Sequence, residues 1–123
     1  MNTLLKNLTI KNNFMFAAVM SDEENCKGFL ERALSMKIDR VEINTEKNIV
    51  YHPEYKGVRL DVYAKDENNT RYNIEMQVLK QSALGRRSRY YQSQMDMELL
   101  AKGCEYAELP DSYVIFLCDF DPF

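Results

Sequence analysis

A chain of 123 residues, 46% of them hydrophobic, is long enough for one buried core and too short for two ordinary domains. Its formal net charge of −3 argues against a protein that coats nucleic acid through bulk charge, and leaves room for a local basic patch. Three cysteines with no C-x-x-C pair, a single histidine at position 52 and no apolar run of membrane-spanning length point away from structural zinc, His-based catalysis and the membrane; the expectation is a cytoplasmic protein with reduced thiols and no signal peptide.

Residues 1–7 read as a lead-in. Phe14, Ala17 and Ala18 at helical spacing predict a short amphipathic helix over residues 11–20. Ser21 or Asp22 then suits the N-cap of a second helix running to about Met36, with Glu23 and Glu24 in its electropositive first turn. Phe29, Leu30, Ala33 and Leu34 form its apolar stripe. Glu31 lies beside that stripe, and by spacing alone it is a solvated helix charge. The alternation in IDRVEIN predicts a strand within residues 38–50. Glu46-Lys47-Asn48 reads as a turn before a weaker strand at 49–51, which His52-Pro53 interrupts.

The stretch GVRLDVYAKDENNTRYNIEMQVL, residues 57–79, reads as a β-hairpin around the polar turn at residues 66–69. Val58, Leu60, Val62 and Ala64 alternate with Arg59, Asp61 and Tyr63, and Tyr72, Ile74, Met76 and Val78 with Asn73, Glu75 and Gln77. Residues on one face pair with residues on the same face, and pairing Val62 with Ile74 sets Asp61 opposite Glu75. Two carboxylates opposed in this way repel. A bound cation, a neighbouring Arg or Lys, or a proton on one carboxyl must offset them. A divalent metal makes the arrangement useful; the plainer alternative is a solvated polar face with Arg59 neutralising the pair.

Gly85 marks a loop, and residues 86–102 carry the longest helical pattern, with Tyr91, Met95, Glu98 and Leu99 on one side and Gly103 as the stop. Arg86, Arg87 and Arg89 crowd its start, where cations oppose the helix dipole. Phosphate contact explains them, as does simple pairing with the many acidic residues. After Leu109-Pro110-Asp111, the unalternating run SYVIFLCDF predicts a strand covered on both faces, hence a central one. The order α-α-β-β-β-α-β predicts an α/β fold with a mixed central sheet flanked by helices.

An acid on one strand with Glu-x-Gln on the next can hold Mg²⁺, a hard cation that takes carboxylates and keeps several waters. One water can then attack a phosphodiester, with Gln77 placed to orient it. The blocks GVRLDVYAKDENNTRYNIEMQ, RRSRYYQSQMDMELLAKGCEYAEL and SYVIFLCDFDPF, with NNFMFAAVM and CKGFLERALSM before them, resemble the PD-(D/E)xK nuclease family transposases, also described as recombination-promoting nucleases. The resemblance implies a restriction-endonuclease-like core and a Mg²⁺-dependent DNA endonuclease associated with transposition or recombination, with Mn²⁺ an acceptable substitute. It assigns Asp61 and Glu75 as metal ligands, Gln77 to the place of the usual lysine, and Glu31 to an N-terminal helix acid able to serve a second metal. Tyr91 and Gln92 are implied near the active site or the DNA backbone; on the nuclease reading Arg86, Arg87 and Arg89 would hold phosphates. Val58-Arg59-Leu60 stands where proline precedes the acid in the family name.

The expectation is one nuclease-like domain over residues 1–123, either whole or the N-terminal part of a longer protein, and a homodimer would suit a double-strand cutter. The alternative is a catalytically degenerate nuclease fold that binds DNA or protein. A third is a purely structural interaction domain.

Overall fold

The computed structural model describes residues 15–49, 58–77 and 83–118. A first helix, α1, is described over residues 15–20. Of the two candidate caps, Asp22 is the one used: its backbone is extended and its carboxylate accepts the Asn25 N–H at 3.0 Å. This opens α2 (Glu23–Leu34), which ends where Ser35 turns left-handed, with φ 52, and donates its N–H to the Glu31 carbonyl.

β1 (Val41–Ile49), β2 (Val58–Asp66), β3 (Arg71–Gln77) and β4 (Ser112–Cys118) form a sheet in that order among the described residues. The first two pairings are antiparallel and β3–β4 is parallel, so the sheet is mixed as predicted. A parallel pair needs a crossover. Here it is α3 (Leu84–Ala101), followed by a short 3₁₀ turn at Tyr106–Glu108.

The predicted hairpin register is the one observed, with Val62 opposite Ile74 and Ala64 opposite Tyr72. Asp66 fixes the turn: its Oδ1 accepts the Asn68 and Thr70 N–H groups at 2.9 Å each, and its Oδ2 accepts the Tyr72 hydroxyl at 2.6 Å. Alternation then divides the core. Cys26 and Leu30, one turn apart on α2, pack with Phe16, Val62, Ala64, Tyr72 and Ile74 on one face. On the other face Tyr63 packs with Leu60 and Met95, beneath α3. Leu60 departs from strict alternation there, next to the point where the β2–β3 ladder ends.

Three expectations need correction. The predicted turn at Glu46–Asn48 is continuous strand, because nine-residue β2 supplies partners through Lys47↔Leu60, Asn48↔Arg59 and Ile49↔Val58. Gly85 belongs to α3 and not to a loop. β4 is covered on both faces, by Tyr113, Ile115 and Leu117 on one side and Val114 on the other, yet it lies at the edge of the described sheet. Cover over both faces produces an unalternating apolar run without making a strand central. His52-Pro53, the end of the weak strand at 49–51, Val78 and the side chain of Arg59 lie outside the described residues.

Candidate active site

β2 and β3 pair regularly from Lys65–Arg71 to Val62–Ile74, and the described ladder stops one residue short of Asp61 and Glu75. Beyond it, side chains take over the bonding. The Asp61 N–H donates to Glu75 Oε2 at 2.6 Å, and the Met76 N–H donates to Asp61 Oδ2 at 3.2 Å. Each carboxylate therefore satisfies a main-chain donor of the opposite strand, where a carbonyl would ordinarily serve. The pair predicted to face each other is close enough to cross-link the strands as they part.

The face that carries them is not solvated. α3 covers it, leaving Glu75 only 3% exposed and Gln77 8%. Burial and then the nearby Asp61 carboxylate push the Glu75 carboxyl up to about 7, against the opposing pull of the Asp61 N–H, the Tyr91 hydroxyl and the Arg87 charge.

Arg87 is the organising side chain on α3. Its Nη1 donates to Gln77 Oε1 at 2.9 Å and its Nη2 to Tyr91 Oη at 2.8 Å. Its guanidinium also lies 5.6 Å from the Tyr91 ring centre and 5.8 Å from that of Phe116 on β4. Tyr91 lies beside Glu75, where its hydroxyl favours the ionised carboxylate. The result is a bonded trio of Gln77, Arg87 and Tyr91 set beside the Glu75 carboxylate and the Asp61 N–H that it accepts.

The remaining sequence candidates fall elsewhere. Glu31 sits on α2, which packs on the opposite face of the sheet, and its Oε2 accepts the Ile38 N–H at 3.1 Å. Gln92 donates to the Ser112 carbonyl at 3.2 Å and ties α3 to β4. Arg86 and Arg89 are exposed, whereas Arg87 is half-buried and turned towards Gln77 and Tyr91. The inward role of Arg87 was missed, although Arg87 and Tyr91 at i and i+4 share a helix face. Asn73 was also missed. It lies two residues before Glu75, wholly buried, and neither its amide nitrogen nor its oxygen has a partner among the described residues.

Asp61 and Glu75 are hard oxygen donors on adjoining strands, which fits Mg²⁺. That ion is commonly held by one or two carboxylates, with water and substrate phosphate completing its shell. Among the described residues no group of three or more His, Cys, Asp or Glu side chains is assembled for a metal, so the fit is that of an open two-carboxylate site. A carboxyl raised by burial and a like charge is one that a divalent cation would return to its ionised form.

The fold thus sets two carboxylates side by side on adjoining strands of a mixed sheet. The family model for the PD-(D/E)XK nuclease family transposases matches residues 10–122, and the chain belongs to that family. The α/β fold with its mixed sheet is consistent with the restriction-endonuclease-like core. Nothing among curated proteins and solved structures matches significantly. No helix among the described residues is long and apolar enough to cross a membrane.

Proposed function

We propose that this nuclease-family chain is a Mg²⁺-dependent DNA endonuclease, cytoplasmic and acting in transposition or recombination. The observation that carries the reading is the Asp61–Glu75 pair at the strand split, two close carboxylates of which one is buried and raised to about 7. Asp61 and Glu75 would hold the metal, which supplies Lewis-acid charge for phosphodiester hydrolysis. Gln77 orients the attacking water through its amide. Tyr91 holds the Glu75 carboxylate in place. Arg86 and Arg89, exposed in the early turns of α3, are placed to take DNA phosphates; α3 has no side-chain cap and no acid in its first turn to compete for them. Glu31 and Gln92 take structural roles.

Titration of Mn²⁺ or Mg²⁺ into wild type and Asp61→Asn, beside nicking of supercoiled plasmid, tests this. Metal binding and cleavage should both disappear in the variant while its melting temperature stays within a few degrees. Equal cleavage by the two proteins would remove Asp61 from the mechanism. DNA binding that needs no divalent ion and weakens steeply with salt, without cleavage, would favour a degenerate binding module instead.

A further inference from the structure

We propose that Arg87 supplies, through Gln77, the positive charge that the strand position lacks, so that the two residues together replace one lysine. The inference rests on the nuclease reading. The signature spelled in the family name ends in lysine two residues after the second acid, and Gln77 stands there. An ammonium at that place brings hydrogen-bond donors and a full charge to a reaction in which negative charge grows on phosphate oxygen. A carboxamide brings no charge, and it donates only if its NH₂ end is turned the right way.

Arg87 answers both needs. Its Nη1 occupies Gln77 Oε1 at 2.9 Å, which fixes the amide with its NH₂ as the remaining end; among the described residues that nitrogen makes a long 3.4 Å contact to the Met76 carbonyl. The guanidinium lies one hydrogen bond behind the amide and brings a full positive charge there. Two further supports keep it there, the bond to Tyr91 Oη at 2.8 Å and stacking against the Tyr91 and Phe116 rings. This also explains a cation near the start of α3, where the dipole disfavours one. Neither side chain can take a proton from water, so the pair acts by charge and orientation, with Arg87 a positioning residue.

The test compares wild type, Arg87→Gln, Gln77→Lys and the double variant for melting temperature, Mn²⁺ affinity and plasmid nicking. Arg87→Gln should bind Mn²⁺ about tenfold more tightly, because a unit positive charge beside the carboxylates is gone. It should nick about a hundredfold more slowly, the scale of losing one preorganised electrostatic contact. Lysine at position 77 in the Arg87→Gln background should return the rate to within about tenfold of wild type. A role confined to packing would give no such rescue.

A folded Arg87→Gln with unchanged rate and unchanged Mn²⁺ affinity overturns the proposal, as does a folded double variant no faster than the single one. If wild type binds Mn²⁺ but cuts no DNA, the nuclease reading fails alone, and the affinity comparison still decides the role of Arg87. Absence of Mn²⁺ binding in all four proteins overturns both. Should Arg87→Gln fail to fold, Arg87→Lys keeps the charge, and its Mn²⁺ affinity should stay within about twofold of wild type. A tenfold rise there also overturns the proposal.

Discussion

Replacing Glu75 with glutamine should stabilise the metal-free protein, and only at high pH. The folded chain holds the Glu75 proton up to about 7, compared with 4.5 for the unperturbed side chain. Between those values the folded state binds more protons than the unfolded one, so stability falls as pH rises. The contribution is complete below pH 4.5 and is lost as pH passes through 7. At about 1.4 kcal/mol per unit, the rise amounts to about 3.5 kcal/mol as an upper bound. With the side chain 3% exposed, solvent screens little of it. Glutamine carries no charge at any pH, and its amide oxygen can still accept the Asp61 N–H. Glu75→Gln should therefore exceed wild type by about 3 kcal/mol at pH 8, about 10 °C in melting temperature for a chain of this size, and match it at pH 4.5. Thermal and urea melts in EDTA at both pH values read the difference. Millimolar Mg²⁺ at pH 8 should then raise the wild-type melting temperature and leave the variant's unchanged. A gap of equal size at both pH values, or a less stable variant at pH 8, would refute the reasoning.

Glu31→Ala should leave Mn²⁺ affinity unchanged in calorimetry and lower stability by about 1 kcal/mol in urea melts, the value of its bond to the Ile38 N–H. A lost metal site would instead return Glu31 to the mechanism. Asn73→Leu removes a buried amide with no partner among the described residues and should raise stability by about 1–3 kcal/mol, read as a higher urea midpoint at unchanged slope. Arg86→Ala with Arg89→Ala should weaken DNA binding at all sequences and reduce the slope of log affinity against log salt by about one per side chain, measured by fluorescence anisotropy.

The fold was legible where one rule dominated. Two-residue alternation and a polar turn were sufficient for the β2–β3 register, and an acidic first turn behind Asp22 for α2. The Asp61–Glu75 juxtaposition follows from that register and needs no tertiary information. What escaped depended on partners distant in sequence. Nothing local tells Glu46–Asn48 that β2 is long enough to keep them in a ladder, or tells Ser112–Cys118 that its outer edge lies at the margin of the described sheet. Glu31 shows a further limit, since nothing in its helical spacing reveals that its carboxylate accepts the Ile38 N–H in the turn after α2.

The partition of the three arginines shows how topology sets the chemistry. A parallel β3–β4 pair obliges the chain to cross one face of the sheet, and that face carries Glu75 and Gln77. A helix laid over a buried carboxylate must bring it hydrogen bonds or charge, or leave it protonated. The early turns of α3 meet that demand with Arg87 and Tyr91, one turn apart and directed at the sheet, while Arg86 and Arg89 face solvent. An arginine run that looks like one phosphate clamp is thus divided by helical periodicity into an inner charge and an outer pair. Their substitutions should separate accordingly, with Arg87 altering metal affinity and rate and the outer pair altering DNA affinity and its salt dependence.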